Sequence, residues 1–251
     1  MIRRACAADL PSLIALCGHT AIGCRALAPL VAYGEVPFID AWVQEEANGM
    51  RALLTRMDGA ATLWAADSAD IFEISEMLSL VGFARLLCEE RFASALPFPR
   101  QAAGVIFAWQ DTAQSSPPGI VFDPSPRLLH PILSFCAGDG MDVPPFDAWY
   151  VDACHRARRN LFHSAVVYAG HLPVCCAMTT SETGLTAVIG GVACLPDFRR
   201  RGLASLAVTA LCRRLAPLRE HIALLCYDQG PLAFYENIGF AAAGRWQEAS
   251  G

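Results

Sequence analysis

Residues Ala187 to Leu215 read A-V-I-G-G-V-A-C-L-P-D-F-R-R-R-G-L-A-S-L-A-V-T-A-L-C-R-R-L. The first nine are short, apolar and carry Val and Ile, which predicts a buried strand. Pro196 and Asp197 end it, because Pro has no N–H for a ladder. Leu203, Leu206, Ala207, Ala210 and Leu211 then recur at helical spacing and give one apolar face. Pro217 closes the helix. A strand, an arginine-rich loop with one glycine, and a helix therefore follow one another without a break.

The junction has a chemical reading. The first amides of a helix have no partner within it and lie at the positive end of its dipole. An anion placed there meets donors and favourable charge together. Gly202 carries no side chain to keep a ligand off the backbone, and Ala204 keeps a nearby position small. Arg199, Arg200 and Arg201 add charge-assisted donors at the mouth. The loop reads as a polyphosphate site. It is neither G-x-x-x-x-G-K-[ST] nor G-x-G-x-x-G, and neither pattern occurs in the chain.

The rest of the sequence sets bounds. The 251 residues allow one large domain or two small ones. With 54% apolar and 17% charged residues the chain can fill a core and is not a disordered segment. A net charge of −5 argues against a nucleic-acid binder. Eleven cysteines are scattered, odd in number, and include the adjacent pair Cys175 and Cys176. There is no CxxC and no histidine at zinc spacing, so no metal is expected. Reduced thiols used as small hydrophobes fit best, which suits a reducing, cytoplasmic compartment. The start M-I-R-R-A-C-A-A-D-L-P lacks the apolar core of a signal peptide, and no run of apolar residues is long enough to span a membrane.

In the N-terminal half a helix is expected from Asp9 and Pro11, then an irregular stretch from Arg25 to Phe38 broken by Pro29, Gly34 and Pro37. Strands are expected over Ile39 to Glu45, and over Met50 to Met57 and Ala61 to Ala65 about a turn at Asp58-Gly59. A helix over Ser68 to Leu80 should be capped by Gly82, with strands at Phe83 to Cys88 and Val105 to Trp109. The Ser-, Pro- and Gly-rich stretch Gln110 to Arg127 reads as a linker. Beyond it, helices are expected over Leu128 to Phe135 and Phe146 to Arg158. Strands at Phe162 to Ala169 and Leu172 to Thr179 follow, then a turn at Ser181 to Gly184. Ile222 to Cys226 gives a strand after the Arg-Gly helix, by a parallel crossover. A short helix from Pro231 to Ile238 and a strand from Phe240 to Trp246 close the chain.

Arg199-x-x-Gly202-x-Ala204 after such a strand resembles the acetyl-CoA signature Q/R-x-x-G-x-G/A of the GNAT acetyltransferase superfamily. D-Q-G-P-L-A-F-Y-E-N-I-G-F, Asp228 to Phe240, resembles that family's second signature, N-x-x-A-x-x-x-Y-E-x-x-G-F. The resemblance implies a GNAT fold: an α/β mixed twisted sheet with helices on both faces, over residues 125–251. A faint echo of N-I-G-F-A in L-V-G-F-A suggests a degenerate GNAT-like α/β domain at 1–115, joined by a linker at 116–124. It also implies an acyl-CoA-dependent N-acyltransferase with acetyl-CoA as cosubstrate. The diphosphate would rest on Arg199, Arg200, Arg201, Gly202, Leu203 and Ala204. The pantetheine would lie along Val192, Ala193 and Cys194. Tyr235 falls on the family's general acid, and Asp228 stands where many members have asparagine. A thiol leaves with pKa near 8.5, so a phenol near 10 can return its proton. No acid or histidine lies on the strand Ala187 to Leu195; Glu182 is placed in the preceding turn, too far to act as base. Asp139, Asp142 and Asp152 fall on the acceptor side in the family and could attract a cationic amine. His155 and His163 read as structural. The acceptor is a small-molecule or peptide amine, with no nucleic acid or membrane partner, and a homodimer is left open. A non-catalytic acyl-CoA sensor and a transferase for longer acyl-CoA remain as alternatives.

Overall fold

The computed structural model describes residues 1–110, 119–138 and 143–251. The chain divides into two compact units. The first comprises Met1–Phe107, Leu225–Leu232 and Ala242–Gly251, and the second Ala108–Leu224 and Ala233–Ala241. Neither is one uninterrupted piece of chain. Of the expected linker, residues 116–118 lie outside the described residues, as do the acceptor-side candidates Asp139 and Asp142.

The first unit contains β1 (Ile2–Arg4), α1 (Leu10–Cys17), α2 (Ala21–Tyr33), β2 (Ile39–Glu46), β3 (Gly49–Met57), β4 (Ala60–Ala65), α3 (Ile71–Val81), β5 (Arg85–Glu89) and most of β6 (Arg100–Trp109). β2, β3 and β4 form an antiparallel meander with Trp42 opposite Leu54 and Leu53 opposite Trp64. Asp58 and Gly59, at φ 50° and 76°, turn β3 into β4 as the hairpin signal requires. Side chains alternate between the two faces of the sheet. Trp42, Leu54, Leu63 and Leu86 pack with Ile74 and Leu78 of α3. Their neighbours Val43, Leu53, Trp64 and Leu87 pack with Leu13, Ile22 and Leu27 of α1 and α2. Helices thus cover both faces.

The expectation of an irregular stretch after Arg25 is corrected. α2 continues through Pro29 to Tyr33, where Gly34 caps it at φ 70°. Thr20 caps its start, its hydroxyl accepting from the Gly23 amide at 3.0 Å. Proline removes one hydrogen bond, but Ile22, Cys24, Ala26, Leu27, Ala28 and Ala32 are buried along the helix, and that burial prevails.

The second unit contains β7 (Ile120–Phe122), α4 (Leu129–Phe135), α5 (Phe146–Ala157), β8 (Ser164–Ala169), β9 (Leu172–Glu182), β10 (Thr186–Cys194), α6 (Leu203–Leu215), the start of β11 (His221–Tyr227) and α7 (Leu232–Asn237) from Ala233 onward. The last strand, β12 (Phe240–Ala249), begins here and ends in the first unit, where Trp246 to Ala249 pair antiparallel with Glu89 to Leu86 of β5. The second unit's strands run in the order β11-β10-β9-β8-β7. Val166, Cys176, Met178 and Ala193 face α4 and α5 on one side, with Leu129, Leu133, Trp149 and Ala153. α6 packs on β8, β9 and β10. By alternation Cys175 and Ala177 point to the opposite face from Cys176 and Met178. The turn expected at Ser181 to Gly184 starts later, because Ser181 and Glu182 still pair with Val188 and Ala187. No helix among the described residues is long and apolar enough to cross a membrane.

Candidate functional site

β10 pairs with β11 in parallel from Thr186↔His221 to Ile189↔Leu224. Past Ile189 the backbone groups on that edge of β10 are not taken by this ladder. On its other edge β10 stays with β9, but the register slips between Gly190 and Ala193. Gly191 sits in the slip at φ 53°, and a Cβ on it would lie 2.5 Å from the Met178 methyl carbon. The bulge interrupts the β9–β10 pairing just before Ala193 and Cys194.

A single helical turn at Pro196–Phe198 leads into the arginines. Arg199 has an extended backbone, and its Nε donates to the Cys194 carbonyl at 2.9 Å. Its Nη2 donates to the Cys136 sulfur at 3.7 Å, while the Cys136 thiol donates to the same Cys194 carbonyl at 3.4 Å. Arg199 therefore ties the loop back to the end of β10 and to the C-cap of α4. Arg200 is exposed and left-handed at φ 61°, a conformation non-glycine residues seldom hold. Arg201 donates to the Asp197 carbonyl at 2.9 Å and lies over the Phe198 ring at 5.3 Å.

Gly202 is the N-cap of α6 at φ 76° and ψ 3°, and no side chain caps the helix start. A Cβ built on it meets nothing within 4 Å. Gly202 is exposed, and Leu203 and Ala204 are half-buried. A helix of 13 residues thus starts without a side-chain cap, directly after three arginines in the sequence. A helix start of this kind can donate to an anion.

Tyr235 lies on α7, its ring edge-on to Phe234 at 5.0 Å and to Phe240 at 6.0 Å. Phe240 in turn meets Trp109 at 5.0 Å. The phenol ring is half-buried in an aromatic group of the second unit. Asp228 belongs to the first unit, where its carboxylate takes both hydrogens of one Arg245 nitrogen at 3.0 and 2.9 Å. Among the described residues no group of three or more His, Cys, Asp or Glu is placed to hold a metal.

The acids resolve differently. Asp152 pairs with Arg156 one turn along α5, at 2.7 Å. Glu182 is fully buried and accepts from His163 Nδ1 at 2.9 Å, from Arg219 at 2.9 Å and from the Thr179 hydroxyl. The other nitrogen of His163 meets Asn160 at 3.1 Å. This buried network is what reading the sequence misses. Its members lie in three separate segments, and only the tertiary fold brings them together. Glu182 sits opposite Ala187, seven residues before Cys194. At ~3.3 Å per residue that is roughly 20 Å from the loop, so the acid is remote from it.

Residues 174–249 match the model of the FR47-like protein family. No curated protein matches the sequence. Several solved structures share the fold. A tandem GNAT protein from the clavulanic acid biosynthesis pathway, determined without AcCoA, aligns over 100% of this chain and 98% of its own, with a TM-score of 0.59 and 14% identity. A GCN5-related N-acetyltransferase from Sphaerobacter thermophilus covers 99% and 94%, with a TM-score of 0.64 and 15% identity. A Drosophila protein covers 100% and 98%, with a TM-score of 0.72 and 11% identity. At these identities the likeness is one of fold.

Proposed function

We propose that this chain is a member of the GNAT superfamily, a reading supported by its FR47-like segment and its fold, and that it is an N-acetyltransferase that passes an acetyl group from acetyl-CoA to an amine by direct attack. The observation that carries the reading is the bare start of α6, reached through Gly202 and flanked by Arg199, Arg200 and Arg201. Acetyl-CoA, when bound, supplies an acyl carbon activated as a thioester. Amides from Leu203 onward hold the diphosphate. Val192, Ala193 and Cys194, on the edge of β10 freed by its divergence from β11, hold the pantetheine arm and polarise the carbonyl. Tyr235 Oη gives a proton to the departing sulfur. The acceptor enters as the neutral amine or loses its proton to water, since β10 carries no acid or histidine. Calorimetry with CoA, followed by a panel of amines with thiol release as readout, tests the proposal. No measurable affinity for CoA would end it.

The same absence on β10, with Glu182 committed to His163 and Arg219, favours one second reading: an acyl-CoA-binding module without turnover. Binding of CoA with no thiol release from any amine, and no effect of Tyr235→Phe, would select it.

A further inference from the structure

All eleven cysteines are free thiols, and two of them stand opposite each other where the loop is rooted. Cys194, the last residue of β10, is the register partner of Cys175 on β9. The Leu195 amide donates to the Val174 carbonyl at 2.9 Å. A bond between the next residue on one strand and the preceding residue on the other marks Cys194 and Cys175 as a non-hydrogen-bonded pair. Such pairs bring Cα atoms to about 4.5 Å and side chains closest together. That separation lies at the lower edge of the range of about 4.4–6.8 Å that disulfides span. Cys175 is fully buried and Cys194 is half-buried, with Arg199 and Arg201 near it. Cys176 points to the other face and pairs with Ala193, so it does not compete.

We propose that Cys194 and Cys175 are a redox pair, closed to a disulfide by a peroxide, and that the closed form holds coenzyme A less well. The first half rests on strand register alone, and the second rests on the proposed function. In the first step the Cys194 thiolate attacks one peroxide oxygen, the O–O bond breaks, and the departing hydroxide is protonated to water. Cys194 is then a sulfenic acid. In the second, the Cys175 sulfur attacks the Cys194 sulfur, the S–O bond breaks, and the Cys175 proton leaves with the hydroxyl as a second water. Two thiols give up two electrons, which the peroxide takes. Burial pushes both thiols above their ordinary range, and the arginines only partly offset this at Cys194. The reaction is therefore slower than at an exposed, low-pKa sensor cysteine. Closure acts on the loop through the Cys194 carbonyl. That oxygen accepts from Arg199 and from the Cys136 thiol. A disulfide favours a wider Cα separation of about 5.5–6 Å, so closing the pair shifts Cys194 and disturbs the contact that fixes Arg199.

The test uses the full-length reduced protein, treated with hydrogen peroxide, alkylated, and digested without reductant by a glutamate-specific protease. Cleavage after Glu182 puts Cys175 and Cys194 on different peptides. The expected result is a cross-linked peptide pair, lost in Cys175→Ala and kept in Cys176→Ala. Calorimetry should show CoA affinity reduced at least about fivefold by peroxide and restored by dithiothreitol. Cys175→Ala should bind CoA as the parent does and resist peroxide. Both thiols recovered alkylated, while other cysteines are oxidised, would overturn the pair. A formed bridge with unchanged affinity would overturn its effect on the loop. If the reduced protein does not bind CoA, the proposed function fails, while the peptide map still decides whether the pair closes.

Discussion

Replacing Gly202 by alanine separates what the glycine does for the fold from what it does for a ligand. The residue sits at φ 76°, and its Cβ would touch nothing within 4 Å. Stability is therefore lost only through the backbone, at about 1–2 kcal/mol for a left-handed alanine, less a few tenths because alanine restricts the unfolded chain. Binding suffers more. A diphosphate on the α6 amides comes within about 2.9 Å of nitrogen, and a methyl group at this cap stands in its path. If the backbone relaxes to negative φ instead, the amides turn away. Either way we expect CoA to bind at least about tenfold more weakly, or ~1.4 kcal/mol. Gly170, in the β8–β9 turn, is the matched control: its φ is 62° and its Cβ also meets nothing within 4 Å. Gly170→Ala should lower the urea midpoint as much as Gly202→Ala and leave CoA titrations unchanged. If both variants lose similar stability and neither loses affinity for CoA, the anion site is not at the start of α6.

Tyr235→Phe keeps the ring contacts with Phe234 and Phe240, so it should unfold like the parent. Its kcat should fall by about 10²–10⁴, with CoA affinity retained and the basic limb of the pH–rate profile lost; an unchanged profile would remove the phenol from the chemistry. Glu182→Gln leaves Arg219 buried without its carboxylate, and should cost about 3–5 kcal/mol in urea unfolding; a loss below about 1 kcal/mol would mean that solvent or a neighbour compensates. Arg3 grips Asp9 through two nitrogens at 2.7 and 2.9 Å and holds its carboxyl well below the usual range. A depressed carboxyl stabilises above the unfolded pKa of about 3.9 and loses that contribution as pH falls through the folded value. Asp9→Asn should thus be less stable near neutrality, with the gap narrowing in acid below about pH 4; a gap that stays constant across that range would dispose of the pair as its source.

What the sequence displays is local. Asp58-Gly59 announces a hairpin and Gly82 a helix end, because each is set by one or two residues' own backbone preferences. The α6 stripe was legible for the same reason. α2 was not, because Pro29 and Gly34 signal a break that Ile22, Leu27 and their neighbours override by burial. β1 and β7 are three residues each, too short for any period to show. The Arg199 contact with Cys136 and the ring of groups about Glu182 depend on residues that meet only through strand order. No spacing along the chain encodes them.

The final strand has a consequence for how this polypeptide is made. Trp246 is buried among Leu13, Ile22, Leu27 and Val43, and Trp246 to Ala249 pair with β5. The core begun by Leu13, Ile22 and Leu27 thus stays unsealed until β12, far along the chain, has been made. Until then Leu13, Leu53 and Leu87 lack a wall, and a ribosome paused near residue 240 would carry an open apolar surface. Synthesis on fragments ending before β12 should need a chaperone where the whole chain does not.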